Sequence, residues 1–460
     1  MNYSKRLILI FTDTFFYQVV MFFFNTQSHP TRSLRQIIIL SVLALSLNVA
    51  AQSSSPGEKR FSFAEGTLGF DAQFMPMSGS TSYLDQDGVV QSSPFSTALT
   101  PRFIISGTHF WGHADFYITL PIVNLLNNDN QDLGTYYNTG SETGAKIYPW
   151  RIKENRLAPY LGVSWNLMRF VQNDIHEQEN SFLRSQAHLH TGLTYRKNDK
   201  LFDFNVSYNP STEQDFYLSR TVKSQVDLPA LSFSLGYRWT FDSSMPDKEA
   251  YDNGTLGAIA RELREKGKAS DFSFSVGLSA AMVGGADYSE RNHPFSDEFS
   301  LTNSHLDLGI GYFFDRWDAH ANISYRQMSY NARSYGLDQK LRRRTIGLEL
   351  YKFLFDYHGF VPYIGLIPSF EKYVFDQVDS ETSRNLVDVT KYNTGLIFGW
   401  DIRQDDVQWY ILRTNLRYFP NRLSIEGQEY KFNQFEFNFI QFVYYPGRHR
   451  WIRKLKKARQ

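Results

Sequence analysis

The sequence predicts an all-β chain, a transmembrane antiparallel up-and-down β-barrel of about sixteen strands built from two eight-strand halves. Three observations predict it. Large apolar residues alternate with small or polar ones in segment after segment. Short and long connections alternate between those segments, and an export signal precedes them all. Composition agrees: mean hydropathy is negative, yet the 460 residues include 39 Phe and 28 Tyr. A barrel with an apolar outer wall, a polar lumen and aromatic girdles has that balance.

The N-terminal region, residues 1–51, carries two hydrophobic runs. The second, RSLRQIIILSVLALSLNVAAQ from Arg32 to Gln52, has a basic start, an apolar core and small residues at Val49-Ala50-Ala51. That is the layout of a secretory signal peptide, with cleavage expected after Ala51. The first run, Leu7 to Phe24, contains Asp13 and precedes a polar stretch. It reads as a transmembrane segment or, preferably, as an overextended start, because a secretory signal rarely follows a separate spanning helix. The chain lacks cysteine, which excludes disulfides, thiolate metal sites and a lipoprotein anchor. A formal net charge of +1 gives no bulk field for nucleic acid, which is not expected as a partner.

The alternation can be followed in order along both halves. In the first half, Phe116, Ile118 and Leu120 alternate with Asp115, Tyr117 and Thr119. Leu161, Val163, Trp165 and Leu167 alternate with Gly162, Ser164 and Asn166, and Phe202, Phe204 and Val206 with Asp203, Asn205 and Ser207. The stretch ALSFSLGYRWTF, Ala230 to Phe241, is greasy on one whole face and wet on the other. In the second half the same holds at 272–278, 305–312, 317–326 and 395–402. The segments 98–106, 143–150, 408–419 and 434–445 are less regular. Each has roughly the 9–11 residues a tilted spanning strand needs. Short turns at 151–157, 196–200, 314–317 and 401–407 alternate with long polar loops at 77–96, 123–140, 170–184, 209–227, 284–300 and 373–390. A soluble sandwich has no reason for that rhythm, whereas short periplasmic turns and long extracellular loops produce it.

Pro159-Tyr160-Leu161-Gly162 returns as Pro362-Tyr363-Ile364-Gly365, and Thr191-Gly192-Leu193 as Thr394-Gly395-Leu396 at the same displacement. Phe61-Ser62-Phe63 matches Phe272-Ser273-Phe274. A duplicated eight-strand unit is the natural reading. With these strand starts and the closing strand LSFSLGYRWTF, each half resembles the small bacterial outer-membrane β-barrel superfamily, the OmpA/OmpW-like eight-stranded barrels. The resemblance implies residence in the outer membrane of a Gram-negative bacterium, in contact with its lipids. It departs at the end: after Tyr445 come Pro446, Gly447 and a basic tail, where an assembly signal would close on an aromatic residue.

The domains read as a first half at 52–242, a periplasmic linker at 243–270, a second half at 271–446 and a basic tail at 447–460. In the linker Leu256, Ile259, Ala260 and Leu263 have helical spacing, with Thr255 as N-cap and Gly267 as stop, so a short helix is expected over 254–267. The halves form one sixteen-stranded barrel or two eight-stranded ones. One barrel is favoured, since every extra closure pairs strands distant in sequence.

Thirteen ionisable residues are expected on the lumenal faces: Asp115, Lys146, His188, His190, Asp203 and Arg238 in the first half, and Asp307, His320, Arg326, Glu349, Asp401, Arg413 and Arg417 in the second. They line a pore for small polar solutes, or they form a salt-bridge network that fills the barrel. The mixed signs assign no ion selectivity. His188 and His190 share a face at strand spacing, but no third metal ligand accompanies them. No Ser–His pair lies on an apolar face, so neither a lipid hydrolase nor any catalytic residue, metal site or cofactor is expected. The tail, with seven Lys or Arg in its last fourteen residues, is a solvated end or a contact for anionic headgroups through Trp451 and Ile452. The activity expected is passive, a porin-like conduit. The alternatives are a blocked barrel that binds partners at its surface, with no protein partner specified, and a lipid-modifying enzyme.

Overall fold

The computed structural model describes residues 63–76, 79–85, 87–123, 125, 136–173, 179–244, 253–284, 287–296, 305–403 and 408–459. The expected signal peptide and the hydrophobic run before it lie outside these residues. The first half runs through β1 (Glu65–Met75), β2 (Ser80–Leu84), β3 (Val90–Pro94), β4 (Ala98–His109), β5 (Ala114–Pro121) and β6 (Tyr136–Ile147). It continues with β7 (Leu157–Asn173), β8 (Glu179–Lys197), β9 (Lys200–Tyr208), β10 (Glu213–Tyr217), β11 (Lys223–Asp227) and β12 (Leu231–Asp242). Helix α1 (Thr255–Glu265) follows, then β13 (Asp271–Gly284), α2 (Asp287–Asn292), β14 (His305–Phe314), β15 (Ala319–Ser334), β16 (Leu337–Phe353) and β17 (Phe360–Asp379). The chain closes with β18 (Thr382–Ile402), β19 (Tyr410–Phe419), β20 (Arg422–Ile425), β21 (Gln428–Lys431), β22 (Asn433–Tyr444) and α3 (Pro446–Ala458).

The expectation of one sixteen-stranded barrel is corrected by the ladders. In such a ring β1 would pair with β22 and β12 with β13. Instead β1 pairs with β12, Glu65 facing Asp242 and Phe74 facing Phe233, while β13 pairs with β22, Phe274 facing Tyr444. The first set runs β1-β4-β5-β6-β7-β8-β9-β12 and returns to β1, since β8 also pairs with β9. In the second, β14 pairs with both β13 and β15, and the order β13-β14-β15-β16-β17-β18-β19-β22 returns to β13. Among the described residues one β-bridge, Ser334 to Asn180, pairs a strand of one ring with a strand of the other. The physical reason is local pairing: each half has antiparallel neighbours for both of its terminal strands, so neither half needs an edge from the other.

Along the middle of each strand the pleat sends apolar side chains out and polar ones in. On β16, Ile346, Leu348 and Leu350 are exposed while Arg343, Thr345 and Glu349 are buried. Toward the loop end of the second ring the pattern inverts. Lys340, Arg342 and Arg344 then face out, and Leu337 and Leu341 face in. β15 inverts after the outward Tyr325, where Gln327 and Asn331 follow, and β17 after Phe370, where Lys372 follows. The outward apolar band therefore ends at one level across three neighbouring strands.

Several expected long loops are regular structure. Residues 373–390 form the end of the β17–β18 hairpin, which turns at Ser380 in a left-handed conformation (φ 55°). Inside 77–96 and 209–227, strands β2, β3, β10 and β11 build a separate four-stranded sheet. The linker helix spans Thr255–Glu265 with Gly254, not Thr255, as its N-cap, and Gly267 follows at φ 63°.

Candidate functional site

Each ring encloses a layer of charge, which is the site the sequence singled out. In the first ring Arg102 on β4 grips Asp71 on β1 with two parallel hydrogen bonds, Nε to Oδ1 at 2.8 Å and Nη2 to Oδ2 at 2.5 Å. Its Nη1 donates to Glu142 at 2.7 Å, and the Tyr117 hydroxyl donates to the other oxygen of that carboxylate at 2.8 Å. Arg238 on β12 spans Asp203 and Asp115 at 2.6 and 2.7 Å, and Lys146 lies 3.5 Å from Asp203. A cavity of about 20 Å3 among Asp71, Arg102, Glu142, Lys146 and Arg238 has room for little more than one water.

The second ring carries a denser lattice. Arg326 meets Glu349 at 2.9 Å and Glu436 at 2.8 Å. Arg343 joins Glu436 at 2.5 Å and also Glu371, while Arg417 joins Asp307 at 2.7 Å and Glu349 at 3.0 Å. Nearer the turn end Arg413 pairs with Asp401, Nε to Oδ1 at 2.7 Å, and donates to the Tyr351 hydroxyl. These side chains are all within a few per cent of full burial. Removing one partner of such a pair typically costs 3–5 kcal/mol, because an uncompensated charge is left inside.

Above and below the charge lie apolar layers. At the loop end of the first ring Met75, Phe95, Phe170, Phe216 and Val226 form one cluster under the four-stranded sheet. The corresponding cluster in the second ring joins Met328, Tyr330, Leu341, Phe375, Tyr430 and Phe432, so the β20–β21 hairpin fills its mouth. At the turn ends Tyr148, Ile152, Tyr160 and Leu201 close the first ring, and Phe353, Tyr363, Ile411 and Tyr445 the second. The same contact recurs in both: the Tyr160 hydroxyl lies where a Cβ on Gly192 would come within 2.6 Å, and the Tyr363 hydroxyl where one on Gly399 would come within 2.5 Å. Gly395 of the repeated tripeptide pairs instead with Ile367, so that repeat is out of register with the contact.

All thirteen sequence-selected residues are buried within their rings. The structure brings Asp115, Lys146, Asp203 and Arg238 together, and likewise Asp307, Arg326, Glu349 and Arg417. Asp401 and Arg413 form a separate pair. His320 stacks on Tyr351 with ring centroids 5.1 Å apart and meets Ser273 at 2.9 Å. His188 and His190 do not converge on one point; their rings are 6.5 Å apart. His190 Nε2 lies 2.5 Å from Ser164 Oγ and 3.2 Å from Glu142, while Asn205 donates to Nδ1 at 3.1 Å. Among the described residues no group of three potential metal ligands occurs. Sequence reasoning missed Asp71, Arg102, Glu142, Arg343, Glu371 and Glu436. The signal for them was the same two-residue period: Asp71 sits between Phe70 and Ala72, and Glu436 between Phe435 and Phe437.

No protein-family model matches the chain, and no curated protein matches it. Among solved structures it is similar to Neisserial surface protein A, at 13% identity and a TM-score of 0.27, covering 38% of this chain and 98% of that one. It is similar to Ail, the attachment invasion locus protein of Yersinia pestis, at 12% identity and a TM-score of 0.25, covering 38% and 97%. An outer membrane channel from Pseudomonas putida F1 follows at 10% identity and a TM-score of 0.19, covering 85% and 99%. Scores this low carry no weight for function.

Proposed function

We propose that the chain is an outer-membrane protein of a Gram-negative bacterium, made of two side-by-side eight-stranded barrels whose lumens are closed, and that it acts through its loop-end surface. The outward apolar bands support bilayer residence, as do the aromatic residues at their margins, Tyr325 and Tyr392 at one end and Trp239, Trp317 and Tyr410 at the other. The observation that carries the rest is the filling of both interiors: ion pairs at mid-height with apolar layers at each end. Eight strands enclose an interior just wide enough for side chains. A conduit for small polar solutes would have to break these pairs. The exported surface is the four-stranded sheet over the first ring together with the polar extensions of β15 to β18 on the second.

A transport role remains as a second reading on one observation, the water-sized cavity among charged side chains in the first ring. Planar-bilayer recording separates the two. Protein purified in detergent and inserted into bilayers should give no discrete conductance steps; reproducible steps would overturn the closed-lumen reading.

A further inference from the structure

We propose that α1 and α3 form a cationic foot that holds anionic phospholipid headgroups of the leaflet at the turn end of the second barrel. The proposal rests on the outer-membrane reading above. Helix α3 begins at Pro446, two residues past Tyr444, the last residue of β22. Its depth is fixed, not trailing. Trp409 stacks on His449 with centroids 4.6 Å apart, and the Tyr444 hydroxyl lies 2.9 Å from His449 Nδ1. Arg448 turns inward under the ring, its Nε donating to the Ala269 carbonyl at 2.8 Å and its backbone N–H to Asp271 at 2.7 Å. Its guanidinium covers the Tyr445 ring at 4.3 Å.

Ile452 and Leu455 seat on Ile259, Ala260 and Leu263 of α1, so Ile452 is not the membrane contact the sequence suggested. That packing directs Arg450, Arg453, Lys454, Lys456 and Lys457 outward, all exposed. Around the half-buried Trp451 gather three ammonium groups, Lys454 at 5.0 Å, Lys268 at 5.8 Å and Lys266 at 6.0 Å from the ring. Few acids offset them: Glu262 takes Lys266 at 2.6 Å and Arg459 at 3.0 Å, and the exposed Glu265 lies one turn on. A chain of formal net charge +1 has thus segregated strong positive charge to one end. That end adjoins Trp409 and Tyr410, residues of the type that marks headgroup level. Cations at that depth attract acidic lipids, each adding roughly fivefold to retention at physiological salt. Zwitterionic headgroups offer no such gain.

The test uses the full chain in a non-ionic detergent, mixed with phosphatidylglycerol or phosphatidylethanolamine, with retained lipid counted by native mass spectrometry. Wild type should retain phosphatidylglycerol at least about tenfold over phosphatidylethanolamine, less so in high salt. The variant R450S/R453S/K454S/K457S should lose that preference, and R450K/R453K should keep it. Equal retention of the two lipids, or a preference unchanged in the serine variant, overturns the proposal. So does sedimentation of wild type but not variant with peptidoglycan sacculi in the absence of a lipid preference. A protein that inserts into bilayers yet shows no headgroup preference sinks only this inference; one that stays monomeric in water without detergent sinks the outer-membrane reading with it.

Discussion

Asp318 is a residue outside the apolar band whose environment contributes to pH dependence. It ends the short turn between β14 and β15 in a left-handed conformation (φ 45°, ψ 52°), a geometry Asp and Asn tolerate better than other side chains. Burial raises its carboxyl above the usual range, against the opposing pull of Arg403 and Lys352. The folded state therefore binds the proton more tightly than the unfolded one. Stability contributed by this group is present at low pH and falls as pH rises from the ordinary aspartate value through the raised one. Asp318→Asn keeps the backbone geometry and removes the charge. Thermal unfolding in detergent across acidic to neutral pH should show a flatter profile and a higher midpoint at pH 7 for the variant. An unchanged profile would mean that Asp318 ionises freely in the fold. Arg343 makes a different point about residues. Its guanidinium sits between Glu371 and Glu436 and over the Phe419 ring at 4.5 Å, and nothing in its immediate sequence, Leu341 to Thr345, distinguishes it from the outward Arg342 and Arg344 except parity.

That parity is what gives the strands their boundary. On β16 the outward residues change from Ile346 to Arg344 in one step of the pleat, with the matching change on β15 between Tyr325 and Gln327, and Ile346 pairs with Tyr325. The physical reading is a change of solvent from hydrocarbon to water along a continuous ladder. Leu348→Arg, inside the band, should then destabilise the protein by about 2–4 kcal/mol, whereas Gln327→Arg, just past the boundary, should change it by about 1 kcal/mol or less. Urea titration of folding into lipid vesicles measures both, and equal effects at the two positions would contradict the assigned boundary. Of the strand extensions beyond it, residues 373–390 were read from sequence as a long polar loop. Their inward residues Met328, Tyr330, Leu341, Tyr373 and Phe375 kept the same two-residue period with the faces exchanged. A rule seeking apolar residues on one fixed face breaks where the pattern inverts.

In the whole molecule the two rings stand side by side, in contact at both ends. At the turn end Phe63 and Trp111 pack against Tyr357, with centroids 5.6 and 5.8 Å away, and Phe63 also meets Phe360 at 5.6 Å. At the loop end Arg220 donates to Asp379 at 2.6 Å and to the Tyr335 carbonyl at 2.9 Å, beside the Ser334–Asn180 bridge. Aromatic pairs of this kind each contribute about 0.5–1.5 kcal/mol beyond their burial. A protease site placed between residues 244 and 253 should therefore yield two halves that co-elute in detergent after cleavage. Combining W111A, Y357A and R220A should let them separate. Separation with the native contacts intact would show that the rings are tethered by the linker alone.

The alternation of side chains by itself determined that the chain is built of strands with one greasy and one polar face, and it led to the expectation that thirteen ionisable groups lie on the polar one. Helical spacing within 254–267 and the run of Lys and Arg after Gly447 marked a linker helix and a basic tail. Only the tertiary structure decided how many rings the strands close into and what the polar face encloses. Closure depends on which distant edges meet, β1 with β12 instead of β22. A local period of two carries no information about partners that lie far along the chain. The burial of Ile452 and Leu455 was decided in the same way, because it exists only with α1 beneath them.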